Sequence, residues 1–346
     1  MTRKRITVVA PAYNEAEGIV HFVESLLAVL DSLPYDSTIL LVDDGSTDGT
    51  RERLDALHAA HSGRIGVLHL SRNFGHQAAL TAGMDYAEGD AVITMDADMQ
   101  HPPSLLPELV KRWEEGFDIV QTIRRRTERT GGFKSLTSRA FYRFINRFST
   151  TPIEPNASDF RLLSRRVVEL FRNDLRERDR FLRGLVSWVG FRVLRVEFDA
   201  PARFAGQTKY SFGKMTHLAG AGLISFSKMP LKIAVMLGLV ISGSSLLYGL
   251  YAVAVYFLFK KLVAPGWAST ILVGTFLGGA NLLFLGIIGE YIASMFEELK
   301  GRPIYIVEGW RAAPPAEQEG SRAGSASVEA LIQDRAGFRD RTEEPR

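Results

Sequence analysis

Between Ala91 and Pro103 the chain reads AVITMDADMQHPP. An apolar run from Ala91 to Met95 breaks into Asp96-Ala97-Asp98, with Gln100 and His101 close behind. Two carboxylates at the end of a buried strand suit a divalent cation carrying phosphate oxygens. Mg2+ and Mn2+ take hard oxygen ligands, often one or two carboxylates plus the substrate's own phosphates. If the strand continues, alternation puts Asp96 and Asp98 on the same side of the chain. A bare D-x-D also arises in surface loops, so its meaning rests on the elements around it.

Those elements repeat one pattern. Ile6 to Ala10 reads as a buried strand ending at Pro11, followed by Tyr13-Asn14-Glu15 and a helix to about Leu30. Thr38 to Val42 is a second strand ending at Asp43-Asp44-Gly45-Ser46, with Asp48 where a helix N-cap belongs. Val67 to Leu70 is a third, ending at Arg72-Asn73-Phe74-Gly75-His76, with a helix from about Gln77 to Ala87. The D-x-D strand is the fourth, Pro102-Pro103 start the next helix, and Ile119 to Ile123 is a fifth strand. Strands alternating with helical patterns predict a mostly parallel α/β sheet. Such sheets bind ligands beyond the carboxyl ends of their strands, where all four polar clusters fall.

The composition is 46% hydrophobic with 23% charged residues, and the apolar residues are unevenly spread. From Leu231 to Phe259 the only charge is Lys232, and Val263 to Ile288 carries none. Each stretch exceeds the roughly 20 residues that cross a hydrocarbon core. A short connection with Pro265-Gly266 makes them a hairpin, with spans expected at about 231–259 and 268–290. Basic residues gather on the outer flanks, Arg203, Lys209, Lys214 and Lys228 before and Lys300, Arg302 and Arg311 after, against Lys260 and Lys261 in the loop. That bias predicts an integral membrane protein with both ends and the large N-terminal domain in the cytoplasm. Met1 to Tyr13 has a signal-like basic start, but Pro11 interrupts its apolar run and a first strand is expected instead. The absence of cysteine excludes disulfides and thiolate chemistry. A net charge of +3 is too small to imply a nucleic-acid partner.

After Ile123 the chain turns basic, with Arg124, Arg125, Arg126, Arg129, Lys134 and Arg139 in a short span. Lys134 to Phe148 is helical in pattern, with aromatic residues on one face and arginines on another, and so suits a headgroup layer. Ser211 to Ser227 has the spacing of a second interfacial helix. The expected organisation is a cytoplasmic catalytic domain over 1–210, an interfacial amphipathic helix over 211–229, the two spans within 230–296, and a cytoplasmic tail over 297–346 that is largely disordered after residue 310. Glycines 238, 243, 249, 274, 278 and 279 could pack the spans against each other or against a second copy, as in a homo-oligomer.

Together, Pro11-x-Tyr13-Asn14-Glu15, Asp43-Asp44-Gly45-Ser46-x-Asp48, Arg72-Asn73-Phe74-Gly75-His76-Gln77 and Asp96-Ala97-Asp98-Met99-Gln100 resemble an inverting family 2 glycosyltransferase. More narrowly they are similar to the polyprenyl-phosphate type, the dolichol-phosphate mannose synthases and bactoprenol glucosyltransferases. The resemblance spans about Ile6 to Gly309 and implies a GT-A-like nucleotide-sugar-binding domain on the membrane face. It implies that Pro11, Tyr13, Glu15 and Asp44, with Asp96, bind the nucleotide sugar. Asp96, Asp98 and Gln100 would hold Mg2+ or Mn2+ and the diphosphate, with Asp98 and Asp159 the catalytic carboxylates. Arg126, Arg129, Lys134 and Ser138, together with Arg203 and Lys209, would receive the acceptor's phosphate. The sequence departs from the family's pattern at His101, where many relatives carry Asp or Asn.

The implied partners are a nucleotide-diphosphate sugar, with UDP-glucose the first candidate, and a polyprenyl phosphate in the bacterial inner membrane, serving the cell envelope. A phosphate monoester is largely a dianion at neutral pH, so this acceptor hardly needs proton abstraction. Asp159 is then expected to orient the acceptor and support the anomeric carbon rather than act as a base. Two other readings fit parts of the chain: a processive polysaccharide synthase, and a non-catalytic nucleotide-sugar-binding membrane scaffold. A single hairpin argues against the first, and the full set of carboxylates against the second.

Overall fold

The computed structural model describes residues 3–125, 157–178, 180–199, 229–258 and 266–313. The expected interfacial helices and the residues Arg126, Arg129, Lys134, Ser138, Arg203 and Lys209 lie outside the described residues.

The aliphatic runs expected to be strands are strands: β1 (Arg5–Ala12), β2 (Asp36–Asp43), β3 (Ile65–Leu70), β4 (Ala91–Thr94) and β5 (Ile119–Arg124). Three more follow: β6 (Ala157–Ser164), β7 (Val193–Phe198) and β8 (Val307–Arg311). They form one sheet in the order β7-β5-β6-β4-β1-β2-β3-β8. β1 to β4 run parallel, β6 is antiparallel to both neighbours, and β8 is antiparallel to β3. The sheet is therefore mixed, but its parallel centre holds the strand ends that matter.

Alternation along the strands sorts the core into two layers. Val8 and Leu41 face α1 (Ile19–Asp31), α2 (Thr50–Ala60) and α4 (Leu106–Glu114), packing with Phe22, Leu26, Leu54 and Leu109. Val9 and Val42 face the opposite way, toward α3 (His76–Tyr86), α5 (Arg165–Asn173) and α6 (Leu182–Trp188), with Leu80, Phe171 and Leu185. Both faces are covered, which is why these strands read as continuous apolar runs rather than as alternating ones. Helix α3 lies so close to the sheet that a Cβ on Gly83 would stand 2.1 Å from Val9 Cγ1.

The hairpin is present as α7 (Met229–Leu258) and α8 (Trp267–Leu299), both long and apolar enough to cross a membrane. Their large side chains face outward, as with Leu239 at 70% and Leu282 at 71% exposure. At about 1.5 Å per residue either helix exceeds a hydrocarbon core of about 30 Å. Helix α8 includes the span expected at about 268–290 and extends beyond it to Leu299.

That extension brings the chain back onto the catalytic domain. Arg178 donates its backbone N–H to Glu298 at 2.7 Å, and its guanidinium meets the Glu297 carboxylate at 2.9 Å. Tyr305 donates to Asp85 at 2.7 Å, and Trp310 packs edge-on to Tyr86 with ring centroids 5.2 Å apart. β8 then lines the outer edge of β3, so part of the segment assigned to a cytoplasmic tail is a strand of the catalytic sheet.

Candidate active site

The site is built where the parallel strands end. Beyond β1, Asn14 is held at φ +55°, and beyond β4, Met99 at φ +63°. Among the described residues these are the non-glycine positions with left-handed backbone, and both stand at strand ends of the site. Such conformations are costly and persist where surrounding bonds impose them. At Asn14 the bonds are visible. Its N–H donates to Ser46 Oγ at 3.1 Å, and its Oδ1 accepts from the Thr47 N–H at 2.8 Å. Asp48 Oδ1 accepts the Thr50 N–H at 3.1 Å and so caps α2 from one residue farther out than an N-cap, because Gly49 intervenes at φ +85°.

The β2 end is closed by protein. Asp44 is buried, and its two oxygens accept the Phe74 N–H at 2.7 Å and the Gly75 N–H at 3.0 Å. Burial raises its pKa even though these bonds favour the charged form. Gly45 makes this approach possible: at φ +70°, a Cβ there would lie 2.4 Å from the Arg72 carbonyl carbon. Beneath it, buried His69 bridges Asp43 and Asp55, at 3.0 Å to each. Burial opposes charge on that imidazole, but the two carboxylates outweigh it and raise its pKa.

The β4 end is different. Asp96 Oδ1 is buried and accepts no hydrogen bond, while facing His76 Nε2 at 3.3 Å. Its backbone N–H donates to His101 Nδ1 at 2.8 Å. Asp98 Oδ1 accepts the Gln100 N–H at 3.1 Å, and Gln100 Oε1 accepts from Arg124 at 2.9 Å. A backbone N–H can only donate, so Nδ1 of His101 is an acceptor and Nε2 carries the proton toward Ser158 Oγ at 2.6 Å. Burial lowers the His101 pKa, in keeping with this neutral form, and the ring stacks on Phe160.

Asp159 lies on β6, which inserts beside β4 with Thr94 opposite Arg161. Its carboxylate is buried and takes Arg161 Nη2 at 2.5 Å and Arg183 Nη2 at 2.8 Å, with His76 Nε2 at 3.6 Å. Burial alone would raise its pKa, but Arg183, His76 and Arg161 reverse that and hold it well below the usual carboxylate range. His76, at the first turn of α3, thus stands between Asp96 and Asp159, and those two carboxylates raise its pKa against the effect of burial.

The residues expected to line a nucleotide divide by exposure. Pro11 and Asp44 are buried, Glu15 is half-buried and Tyr13 is exposed, all at neighbouring strand ends. His76, Arg161 and Arg183 had no assigned part. Strand alternation could have found Arg161, since Asp159 and Arg161 share a face of β6. Nothing local announces Arg183, which reaches Asp159 from another element.

The family model for glycosyl transferase family 2 matches residues 7–171. A glycosyltransferase of Synechocystis sp. whose function is uncharacterised is 43% identical over 87% of this chain and 94% of its own. A prophage-derived bactoprenol glucosyl transferase of Shigella flexneri is 38% identical over 88% of this chain and 97% of its own. The chain belongs to the family 2 glycosyltransferases. Among solved structures, a glucosyl-3-phosphoglycerate synthase from Mycobacterium tuberculosis, in complex with Mn2+ and UDP-glucose, matches at a TM-score of 0.41 and 20% identity over 64% of this chain and 77% of that one. In this glycosyltransferase the ligand chemistry belongs to its own side chains.

Do those side chains fit a divalent cation? Among the described residues no three His, Asp or Glu side chains gather to form a protein cage. Two carboxylates separated by one residue, one of them with an orphaned buried oxygen, suit a cation completed by substrate phosphates. The donor set fits.

Proposed function

We propose that this glycosyltransferase transfers a hexose, with inversion, from a nucleotide-diphosphate sugar to the phosphate of a polyprenyl lipid at the membrane face. UDP-glucose is the preferred donor. The observation that carries the reading is the meeting of Asp96 and Asp159 on His76, with Asp98 two residues along the chain from Asp96, in a protein with an apolar hairpin. Relatives named for bactoprenol glucosyl transfer, similar over most of their length, support the acceptor and the sugar.

The nucleotide sugar lies across the ends of β1, β2 and β4, bordered by Tyr13, Glu15 and the loop that Asp44 holds. Asp96 and Asp98 would hold Mg2+ or Mn2+, and such an ion would supply positive charge beside the diphosphate. Gln100, engaged with Arg124, orders the turn beside them. Arg183 is 40% exposed at its side chain and brings positive charge from the Asp159 pair to the same place. With two arginines on it, Asp159 stays ionised and is a poor proton acceptor at neutral pH. The acceptor's phosphate is its own nucleophile, so Asp159 orients the approach and faces the electron-poor anomeric carbon. Arg126, Arg129, Lys134, Ser138, Arg203 and Lys209 are assigned to the acceptor phosphate on their motif positions. The hairpin is placed in the bacterial inner membrane, with the catalytic domain and both chain ends in the cytoplasm.

The test is incubation of the purified full chain with polyprenyl phosphate and a panel of labelled nucleotide sugars. Organic-phase label from a single donor supports the reading and names the sugar; no lipid-linked label from any donor refutes it. Turnover of Asp159→Asn between pH 5.5 and 8.5 tests the role of the carboxylate. A wild-type acid limb that vanishes in the variant would make Asp159 a general base.

A further inference from the structure

His101 is buried beside the carboxylates, and both of its nitrogens are engaged. Nδ1 takes the Asp96 N–H at 2.8 Å, and Nε2 reaches Ser158 Oγ at 2.6 Å. Ser158 precedes Asp159 on β6, and its Oγ also lies 3.3 Å from the Phe160 N–H. One imidazole thus joins the main chain of the proposed diphosphate site to the strand bearing the proposed catalytic carboxylate. Phe160 and Phe198 hold the ring at centroid distances of 5.1 Å and 6.0 Å, which fixes its plane.

The Asp96 bond matters because the segment from Asp96 to Gln100 belongs to no helix or strand and carries Met99 at φ +63°. β4 ends at Thr94, and the Met95 N–H still donates to the Val9 carbonyl at 3.0 Å. From Asp96 onward the ladder is gone, and His101 supplies the next main-chain bond. We infer that His101 is a positioning residue, which fixes the main chain at Asp96 through Nδ1 and sets the spacing between Asp96 and Asp159 through Nε2 and Ser158. The inference rests on the proposed use of Asp96 and Asp159, and it assigns His101 no contact with substrate.

The two nitrogens can be separated. An Asn side-chain oxygen falls near the place of Nδ1 but cannot reach Ser158, whereas a Gln side chain reaches the place of Nε2 and leaves the Asp96 N–H without its acceptor. The full chain in detergent is compared as wild type, His101→Asn and His101→Gln, by calorimetric titration with Mn2+ and UDP or GDP, whichever the wild type binds. Melting temperature is measured alongside. Both variants lose the stacked ring and should melt lower by similar amounts. His101→Gln should weaken nucleotide binding about tenfold, and His101→Asn by less than about threefold, since a donor left unmet is what costs affinity. Ser158→Ala keeps the Asp96 bond, so it should retain nucleotide affinity while kcat falls about tenfold through lost orientation.

Equal weakening in the Asn and Gln variants, or unchanged affinity in both, would overturn the inference. Should either variant fail to fold, Ser158→Ala decides alone, and an unchanged kcat there refutes the link to Asp159. A wild type that binds neither nucleotide removes the nucleotide-sugar reading itself, a failure seen before any variant is made.

Discussion

The ends of β2 and β4 carry carboxylates on two strands that flank β1, yet they are finished in opposite ways. At the β2 end, Asp44 is saturated by the backbone of the β3–α3 loop, and the close approach is secured by a glycine. At the β4 end, Asp96 keeps a buried oxygen that accepts no hydrogen bond and meets His76 Nε2 across 3.3 Å as an ion pair, while its backbone N–H is tied to His101. Buried polar atoms nearly always accept a hydrogen bond, so under the proposed function this oxygen is where a ligand would complete the site. Under the proposed function these acidic residues do separate work: Asp44 holds the loop that borders the nucleotide, and Asp96 faces the diphosphate. Asp159 is a third case, saturated by cations rather than by backbone.

The largest effect should come at the unsatisfied end. Asp96→Asn is expected to lower transfer by about 10²–10³-fold, as for loss of a charge-stabilising group, with little change in melting temperature. A large fall in melting temperature would erase the contrast with β2. Asp159→Asn should destabilise as well as inactivate, by about 3–5 kcal/mol, because Arg161 is left buried without its counter-charge. The sign with pH follows from the lowered pKa of Asp159. Its contribution is fully present above the ordinary carboxylate value of 3.8 and is lost as pH falls below that. Unfolding of the wild type should steepen in that acid range, and the Asn variant should lack that component.

At the saturated end the losses are structural. Asp44→Asn should cost about 1–3 kcal/mol, since one backbone donor then meets an amide donor, and thermal melting of the detergent-solubilised chain measures it. If nucleotide binding vanished while melting held, Asp44 would be a ligand group and not a rim tie. The smallest effect is expected at Arg51, which pairs at the surface with Glu308 at 2.8 Å. Arg51→Ala should change stability by about 1 kcal/mol or less in the same assay.

Much of this contrast escapes a reading of the chain. The apolar runs before Pro11, Asp43 and Asp96 announced the central strands, because burial on both faces leaves them almost free of polar residues. The D-x-D and the clusters at the strand ends were equally plain. What local pattern could not carry was the placement of β6 between β4 and β5, which is what sets Asp159 beside Asp96. Arg183 is invisible for the same reason, since its partner lies on another element. His101 stood out only as a departure from a family pattern. Its use depends on a serine whose distance in the chain says nothing of its distance in space. The charge-free stretch ends before Glu290 and says nothing of how far α8 continues; it runs to Leu299, where Glu297 and Glu298 meet Arg178.

The strand that borders β3 has a consequence in time. A ribosome delivers the four central strands early and β8 only after both hairpin helices have been made. Until then β3 presents an open edge, which in other sheets invites unwanted pairing. The sheet is sealed by a piece of chain that emerges after both apolar helices, so synthesis of the hairpin precedes completion of the sheet. A nascent domain cut off before the hairpin lacks the strand that borders β3.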